Sequence, residues 1–118
     1  MGITRTIPKW EDPEWVAALF AGDRPWLDDW PFAQTLRDVG EGDFLYVIYR
    51  GRIHGRFEIA AVEETDQTVT VGPTKRPLRA RTVVWVRCPG ELAGRRYIPR
   101  RGHRGARYDD VPEWGPGP

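Results

Sequence analysis

Hydrophobic residues follow helical spacing in the first third of the chain and alternate with polar residues in much of the rest. Within residues 11–23, Trp15 and Leu19 share one helical face, and Asp12 stands where an N-cap residue is expected. A second short helix is predicted over about residues 32–39. The N-terminal part is therefore expected to contain two short helices.

Alternation and turn residues predict several short strands after these helices. Residues 44–49 are apolar on both faces, as in a central strand. Gly55 lies inside an alternating strand, which predicts a bulge or a bend there. In the same strand, residues 53–62, hydrophobic residues at 53, 57, 59 and 61 are expected on one face. The predicted strands cover residues 3–7, at a sheet edge, and then 44–49, 53–62, 67–72, 81–88 and 95–99.

Two small helices and about five or six strands predict an α+β fold, a small β-barrel with short flanking N-terminal helices. Closure into a barrel hides the strand edges that a short sheet would otherwise expose. We expect a single domain over residues 1–118, in which residues 109–118 form a flexible tail.

The composition makes several classes of protein improbable. Cys88 is the single cysteine of the sequence, so no internal disulfide can form. Two histidines and one cysteine, none at ligand spacing, predict no metal site, and no cofactor motif is present. No apolar run reaches the roughly 18 residues of a membrane span, and the first residues lack a signal-peptide core. We therefore expect a soluble cytoplasmic protein with no membrane partner.

Charge is distributed unevenly along the chain. Residues 1–43 contain nine acidic and four basic residues, whereas residues 44–107 contain 14 basic and five acidic residues. Such segregation predicts a basic face on one part of the molecule. The most basic run, residues 95–107, contains six arginines, one histidine and no carboxylate.

This arginine-rich segment is a candidate phosphate-binding loop. Guanidinium groups pair with phosphate oxygens and stack on bases, and the interspersed glycines let the backbone approach a ligand. A solvated loop that balances the acidic first third, or a surface for an acidic protein partner, would have the same composition. The candidate nucleic-acid contacts are Arg95, Arg96, Arg100, Arg101, His103, Arg104 and Arg107, together with Lys75, Arg76 and Arg81.

The tryptophans are candidate base-stacking residues. Trp85 alternates with arginines on one face of its predicted strand, and a base can stack on an exposed indole beside cations. Trp26 and Trp30, close to Arg24 in a turn-rich connection, could form a pocket for a planar ligand. Each of these tryptophans could equally belong to the core, with Trp26 and Trp30 plugging one end of a barrel.

Residues 40–64 carry a family resemblance. They read GEGDFLYVIYRGRIHGRFEIAAVEE, a Gly-Asp step into an apolar strand, a turn, and a strand with an internal glycine. This resembles the PUA-like superfamily, especially ASCH and EVE domains. The resemblance implies a pseudobarrel flanked by short helices that binds RNA or a modified nucleotide. It also implies a pocket between the N-terminal part and the barrel, with Trp26, Trp30 and Trp85 as stacking candidates and Arg24 as a polar contact.

The function expected from these observations is nucleic-acid binding without catalysis, with RNA preferred to DNA, or binding of a modified nucleotide. A basic loop would hold phosphates, and a tryptophan-lined cleft would take one base. One alternative is an ASCH-like hydrolase or ribonuclease, in which His103, Asp28 or Asp29 would have a perturbed pKa. The other is a protein-interaction adaptor with a basic face.

Overall fold

Seven strands, one short α-helix and one 3₁₀ helix make up the part of the chain that this computed structural model describes, residues 1–21 and 27–115. In chain order they are β1 (Gly2–Ile7), α1 (Pro13–Ala18), β2 (Leu27–Phe32), β3 (Phe44–Tyr49), β4 (Arg52–Val71), β5 (Arg76–Arg87), β6 (Glu91–Leu92), β7 (Ala106–Tyr108) and the 3₁₀ helix Pro112–Trp114.

The strands form one curled sheet, a half-barrel with the order β2-β5-β4-β3-β1-β7, and the short β6 pairs with β4. β1 runs parallel to β3, with Ile3 opposite Leu45, and its other side pairs antiparallel with β7. The prediction that residues 3–7 form an edge strand is therefore wrong. A mostly-β, half-barrel architecture agrees with the β-barrel part of the predicted fold class, whereas the helical part is smaller than predicted.

α1 forms as its sequence predicts, because Asp12 caps it. The Asp12 side chain accepts a hydrogen bond from the Glu14 backbone N–H at 2.9 Å, and Pro13 occupies the first turn. The second helix, predicted over residues 32–39, is absent from the structure. Residues 27–32 pair with β5 instead, and Pro31 is tolerated there because β2 lies at the edge of the sheet.

β4 is one continuous strand of 20 residues where two strands were predicted. The predicted turn near residues 64–66 is a bulge, where the register to β5 shifts between Glu64 and Gln67. β5 likewise begins at Arg76, five residues before the strand predicted at residues 81–88. Residues 95–99 form only an isolated bridge, between Arg52 and Pro99, and not the predicted strand.

The bulge predicted at Gly55 is confirmed. Val47 pairs with Gly55 but the next residue, Ile48, pairs with Ile53, so His54 is the extra residue. This extra residue shifts the alternation of side chains between the two faces of the sheet by one position, so that residues before the bulge change face relative to those after it. Ile53 therefore packs in a different cluster from Phe57, and the predicted common face is wrong.

Two hydrophobic clusters cover the two faces of the central strands. The larger packs Val16 of α1, and Phe20 just after it, against Phe57 and the core face of β5. The smaller contains Ile53, Val111 and Trp114, among others. Val111 and Trp114, within the predicted flexible tail, are therefore buried against the sheet; residues 116–118 lie outside the described part.

Within the described residues, no helix has both the length and the apolar character that a membrane crossing requires.

Candidate functional site

The arginine-rich segment divides into structural and exposed residues. Arg100 is structural, because its guanidinium donates to Asp109 at 2.8 Å and to both carboxylate oxygens of Glu113 at 2.6 Å. Arg96 is structural too, since its Nε donates to the Trp114 carbonyl oxygen at 3.1 Å and its guanidinium lies 4.6 Å from the centre of the Trp114 ring. Both hold the C-terminal segment against the sheet.

His103 also makes hydrogen bonds that stabilise the fold. Its Nε2 lies 2.7 Å from the Thr4 hydroxyl oxygen, and its backbone N–H donates to the Thr6 hydroxyl at 3.0 Å. These bonds tie the loop to β1. The other predicted contacts of the segment are exposed and form no ion pair within residues 1–21 and 27–115; they are Arg95, Arg101, Arg104 and Arg107.

The structure does not bring Trp30 and Trp85 into one cleft. Trp30 is 8% exposed and packs on Phe57, with ring centres 5.7 Å apart. In the sheet Trp30 pairs with Val84, the neighbour of Trp85, so the two indoles project from opposite faces. Trp85 is partly buried, and its indole N–H, like that of Trp30, is buried without a hydrogen-bond partner among the described residues. The stacking role predicted for Trp26 and the contact predicted for Arg24 lie outside the described residues.

Lys75, Arg76 and Arg81 are exposed but lie apart from the arginine-rich loop in the chain. Lys75 is in the turn between β4 and β5, with a positive φ of 53°. Arg76 begins β5 and lines a cleft with Arg5, whereas Arg81 lies in the middle of the same strand.

An exposed indole does occur, at a residue that the sequence reasoning missed. Trp10, in the loop between β1 and α1, is 69% exposed. It lines a groove with Lys9, Arg50 and Gly102. Trp10 falls outside the apolar stripe of α1 and directly follows a lysine, which is the signal that could have identified it.

Residues next to the groove-lining Gly51 and Gly102 add further cations and a second aromatic ring. Arg50, at the β3–β4 turn, donates from Nε to the Lys9 carbonyl oxygen at 3.3 Å. Arg52 lies 6.0 Å from the ring centre of Tyr97, which is 71% exposed. Arg101 directly precedes Gly102, which lines the groove.

We call this region the turn surface, and it comprises Lys9, Trp10, Arg50, Arg52, Tyr97 and Arg101. None of its four cations forms an ion pair with a described residue. Exposed rings with cations beside them, Trp10 with Lys9 and Arg50 and Tyr97 with Arg52, can hold a ligand that carries both negative charges and flat rings.

A second concave region lies between β1, α1, β2 and the β4–β5 hairpin. This cleft, of about 250 Å³, is called the Arg5 cleft; the lining residues of interest are Arg5, Glu11, Asp28, Asp29, Trp30 and Arg76. The Arg5 guanidinium lies 4.5 Å from the centre of the Phe32 ring and donates to the Pro31 carbonyl oxygen. Burial, and then the charge of Arg76, lowers the pKa of Arg5 to about 10.

The described residues contain no cluster of three or more His, Cys, Asp or Glu side chains that could hold a metal ion.

The chain matches no protein-family model, and no curated protein or solved structure is significantly similar to it. The resemblance of residues 40–64 to PUA-like domains therefore stays a prediction, and function has to be inferred from the geometry of the two regions above.

Proposed function

We propose that this protein binds single-stranded nucleic acid, RNA in preference to DNA, through the turn surface. The observation that carries the proposal is the 69% exposure of Trp10 in a groove that Lys9 and Arg50 also line. An indole of this size is seldom left in water, since most tryptophans are largely buried. An occupant that covers the ring accounts for its position.

The chemistry of the turn surface suits an unpaired base and its phosphates. Stacking of one base on an aromatic side chain is worth about 1–3 kcal/mol and tolerates any base. Trp10 and Tyr97 offer two such rings, while Arg50 and Arg101 offer planar guanidinium groups that pair with phosphate oxygens. A duplex hides its base faces, so the expected ligand is single-stranded.

Other exposed arginines of the C-terminal half are further candidates for phosphate contacts. Arg95, Arg104 and Arg107 have no ion-pair partner in the described part of the chain and would add phosphate contacts along a longer strand. The preference for RNA, and a PUA-like identity for the domain, rest on the resemblance of residues 40–64.

Fluorescence anisotropy with a labelled single-stranded RNA, and with DNA of the same sequence, tests the proposal. We expect Trp10→Ala to weaken RNA binding roughly 5- to 150-fold, the loss of one stacked base. Trp10→Phe, which keeps an aromatic ring, should recover most of the affinity. Leu92→Ala is the matched control, because Leu92 is also exposed and apolar but lies outside the turn surface.

Absence of RNA binding at low salt, or equal affinity of the Trp10→Ala and wild-type proteins, would show that the turn surface does not bind nucleic acid. The RNA is recovered after each titration and its length is checked on a gel. Shortened RNA would instead favour the ribonuclease alternative.

A further inference from the structure

The Arg5 cleft has features that nucleic-acid binding at the turn surface does not use. Arg5 is a largely buried cation with no ion-pair partner among the described residues. A buried cation normally has a carboxylate partner, because desolvation of an isolated charge is costly. Its guanidinium has five N–H donors, of which the bond to the Pro31 carbonyl oxygen uses only one.

A second guanidinium lines the same cleft. Arg76 is exposed at the start of β5, and it is close enough for its charge to disfavour the protonated form of Arg5. Two like charges beside one cavity repel each other unless an anion lies between them. A dianionic phosphate group would satisfy both guanidinium groups with charge-assisted hydrogen bonds.

Acceptors complete the lining of the cleft. Glu11 is only 5% exposed, and neither its carboxylate nor that of Asp29 forms an ion pair with a described residue. Carboxylates accept hydrogen bonds from hydroxyl and amine donors. The cleft therefore offers donors for an anionic group and acceptors for neutral donor groups.

The size of the cleft limits the ligand to a small molecule. Its volume of about 250 Å³ lies just under the roughly 300–1,000 Å³ of pockets for drug-sized ligands, yet leaves room for more than one phosphate ion. We propose that the Arg5 cleft binds a nucleoside monophosphate, with the phosphate on Arg5 and Arg76 and with sugar or base donors facing Glu11 and Asp29. The nucleotide is either free or the terminal residue of a strand.

Amide NMR spectra during titration with each of the four ribonucleoside monophosphates test this site. We expect saturable shifts at Thr70 and Gly72, which line the cleft. Arg76→Gln should weaken binding about tenfold, the loss of one charge-assisted contact. Arg81→Gln is the matched control, an exposed arginine of the same strand outside the cleft, and should bind as the wild type does.

Arg5→Lys is the second variant, since it keeps the buried charge but loses the planar fork, and it too should bind more weakly. An amide spectrum of each variant shows whether the fold is intact. The proposal would be overturned if shifts were absent or not saturable, or if Arg76→Gln bound as the wild type does. Equal affinity for inorganic phosphate, or for the nucleoside without phosphate, would also overturn it.

Two further titrations separate the possible sources of the nucleotide and the two sites. The first uses a short RNA strand with a 5′ phosphate. If it shifts the amide signals of Thr70 and Gly72 more strongly than the monophosphate does, the site binds a strand end. If the monophosphate shifts them more strongly, the site binds a free nucleotide. Trp10→Ala should leave monophosphate binding unchanged. The Arg5 cleft and the turn surface can therefore fail independently.

Discussion

Arg100 and Arg5 carry the same guanidinium group but lie in opposite electrostatic surroundings. Arg100 lies between two carboxylates, and its hydrogen bonds to Glu113 and then to Asp109 raise its pKa. Arg5 is surrounded by aromatic rings and a neighbouring arginine, and burial lowers its pKa to about 10. At the scale of single residues, Arg100 therefore stabilises the fold, whereas Arg5 has no carboxylate partner among the described residues.

The pairing of Arg100 predicts how stability depends on acid pH. Its hydrogen bonds lower the pKa of Glu113 from 4.5 to about 2. Because the folded-state pKa lies below the unfolded one, the pair stabilises the folded protein above about pH 4.5. This contribution decreases as the pH falls and is lost below about pH 2.

Arg100→Gln should therefore raise the pKa of Glu113 towards 4.5 and lower the free energy of unfolding at neutral pH. The difference from the wild type should shrink as the pH falls below 4.5. Carboxyl NMR titration and urea unfolding at several pH values measure both effects. Arg101→Gln is the control, because this neighbouring exposed arginine forms no ion pair with a described residue. A wild-type Glu113 that titrates near 4.5 would contradict the expectation.

Among the structural elements, the bulge in β4 decides which hydrophobic residues meet. Gly55 beside the bulge has no room for a side chain, because an added Cβ would lie 2.7 Å from the Glu91 carbonyl oxygen and against the ring of Phe20. Close approach of Phe20, just after α1, and of β6 to β4 therefore depends on this glycine.

Gly55→Ala should lower the free energy of unfolding by about 2 kcal/mol, as overpacked sites do. Backbone atoms of Glu91 would have to move, and β6 would lose its register with β4. Gly40→Ala is the matched control, since nothing lies within 4 Å of an added Cβ there, and should change stability by less than about 0.5 kcal/mol. Urea unfolding of both variants makes the comparison, and equal stability would show that the site relaxes freely.

The sequence predicts those elements that local chemistry determines. Asp12 and Pro13 identify the start of α1, an apolar run identifies β3, and Gly55 identifies the bulge. β2 could not be predicted, because residues 27–32 become a strand only through pairing with β5, some 50 residues later. The structural roles of Arg96 and Arg100 could not be predicted either, because their partners lie in residues 109–114, a segment whose sequence predicts a flexible tail.

On the scale of the whole molecule, the turn surface combines three distant parts of the chain. Residues 9–10 follow β1, residues 50–51 form the β3–β4 turn with Arg52 at the start of β4, and residues 97–101 precede β7. The parallel pairing of β1 with β3 brings the end of β1 beside that turn. The bond from the Arg100 N–H to the Gly51 carbonyl oxygen, at 3.0 Å, brings in the third part. No local pattern could therefore have identified this surface.

The net charge of the chain is only +1, so long-range attraction alone should contribute little to binding. Local contacts between phosphates and the four cations of the turn surface should set the salt dependence. For single strands each neutralised phosphate contributes about −0.7 to the slope of log K against log salt concentration. We therefore expect a slope near −3 for a short RNA strand, if each of the four cations meets one phosphate.

Single variants should then change this slope in a way that separates contact residues from structural ones. Arg101→Gln should reduce its magnitude by about 0.7, because one phosphate contact is lost. Arg96→Gln, which removes a cation bonded to the Trp114 carbonyl oxygen, should lower the melting temperature and leave the slope unchanged. Anisotropy titrations across a range of salt concentrations give the slopes. Equal slopes for Arg101→Gln and the wild type would remove Arg101 from the interface, and a slope near zero would show that phosphates are not what this surface holds.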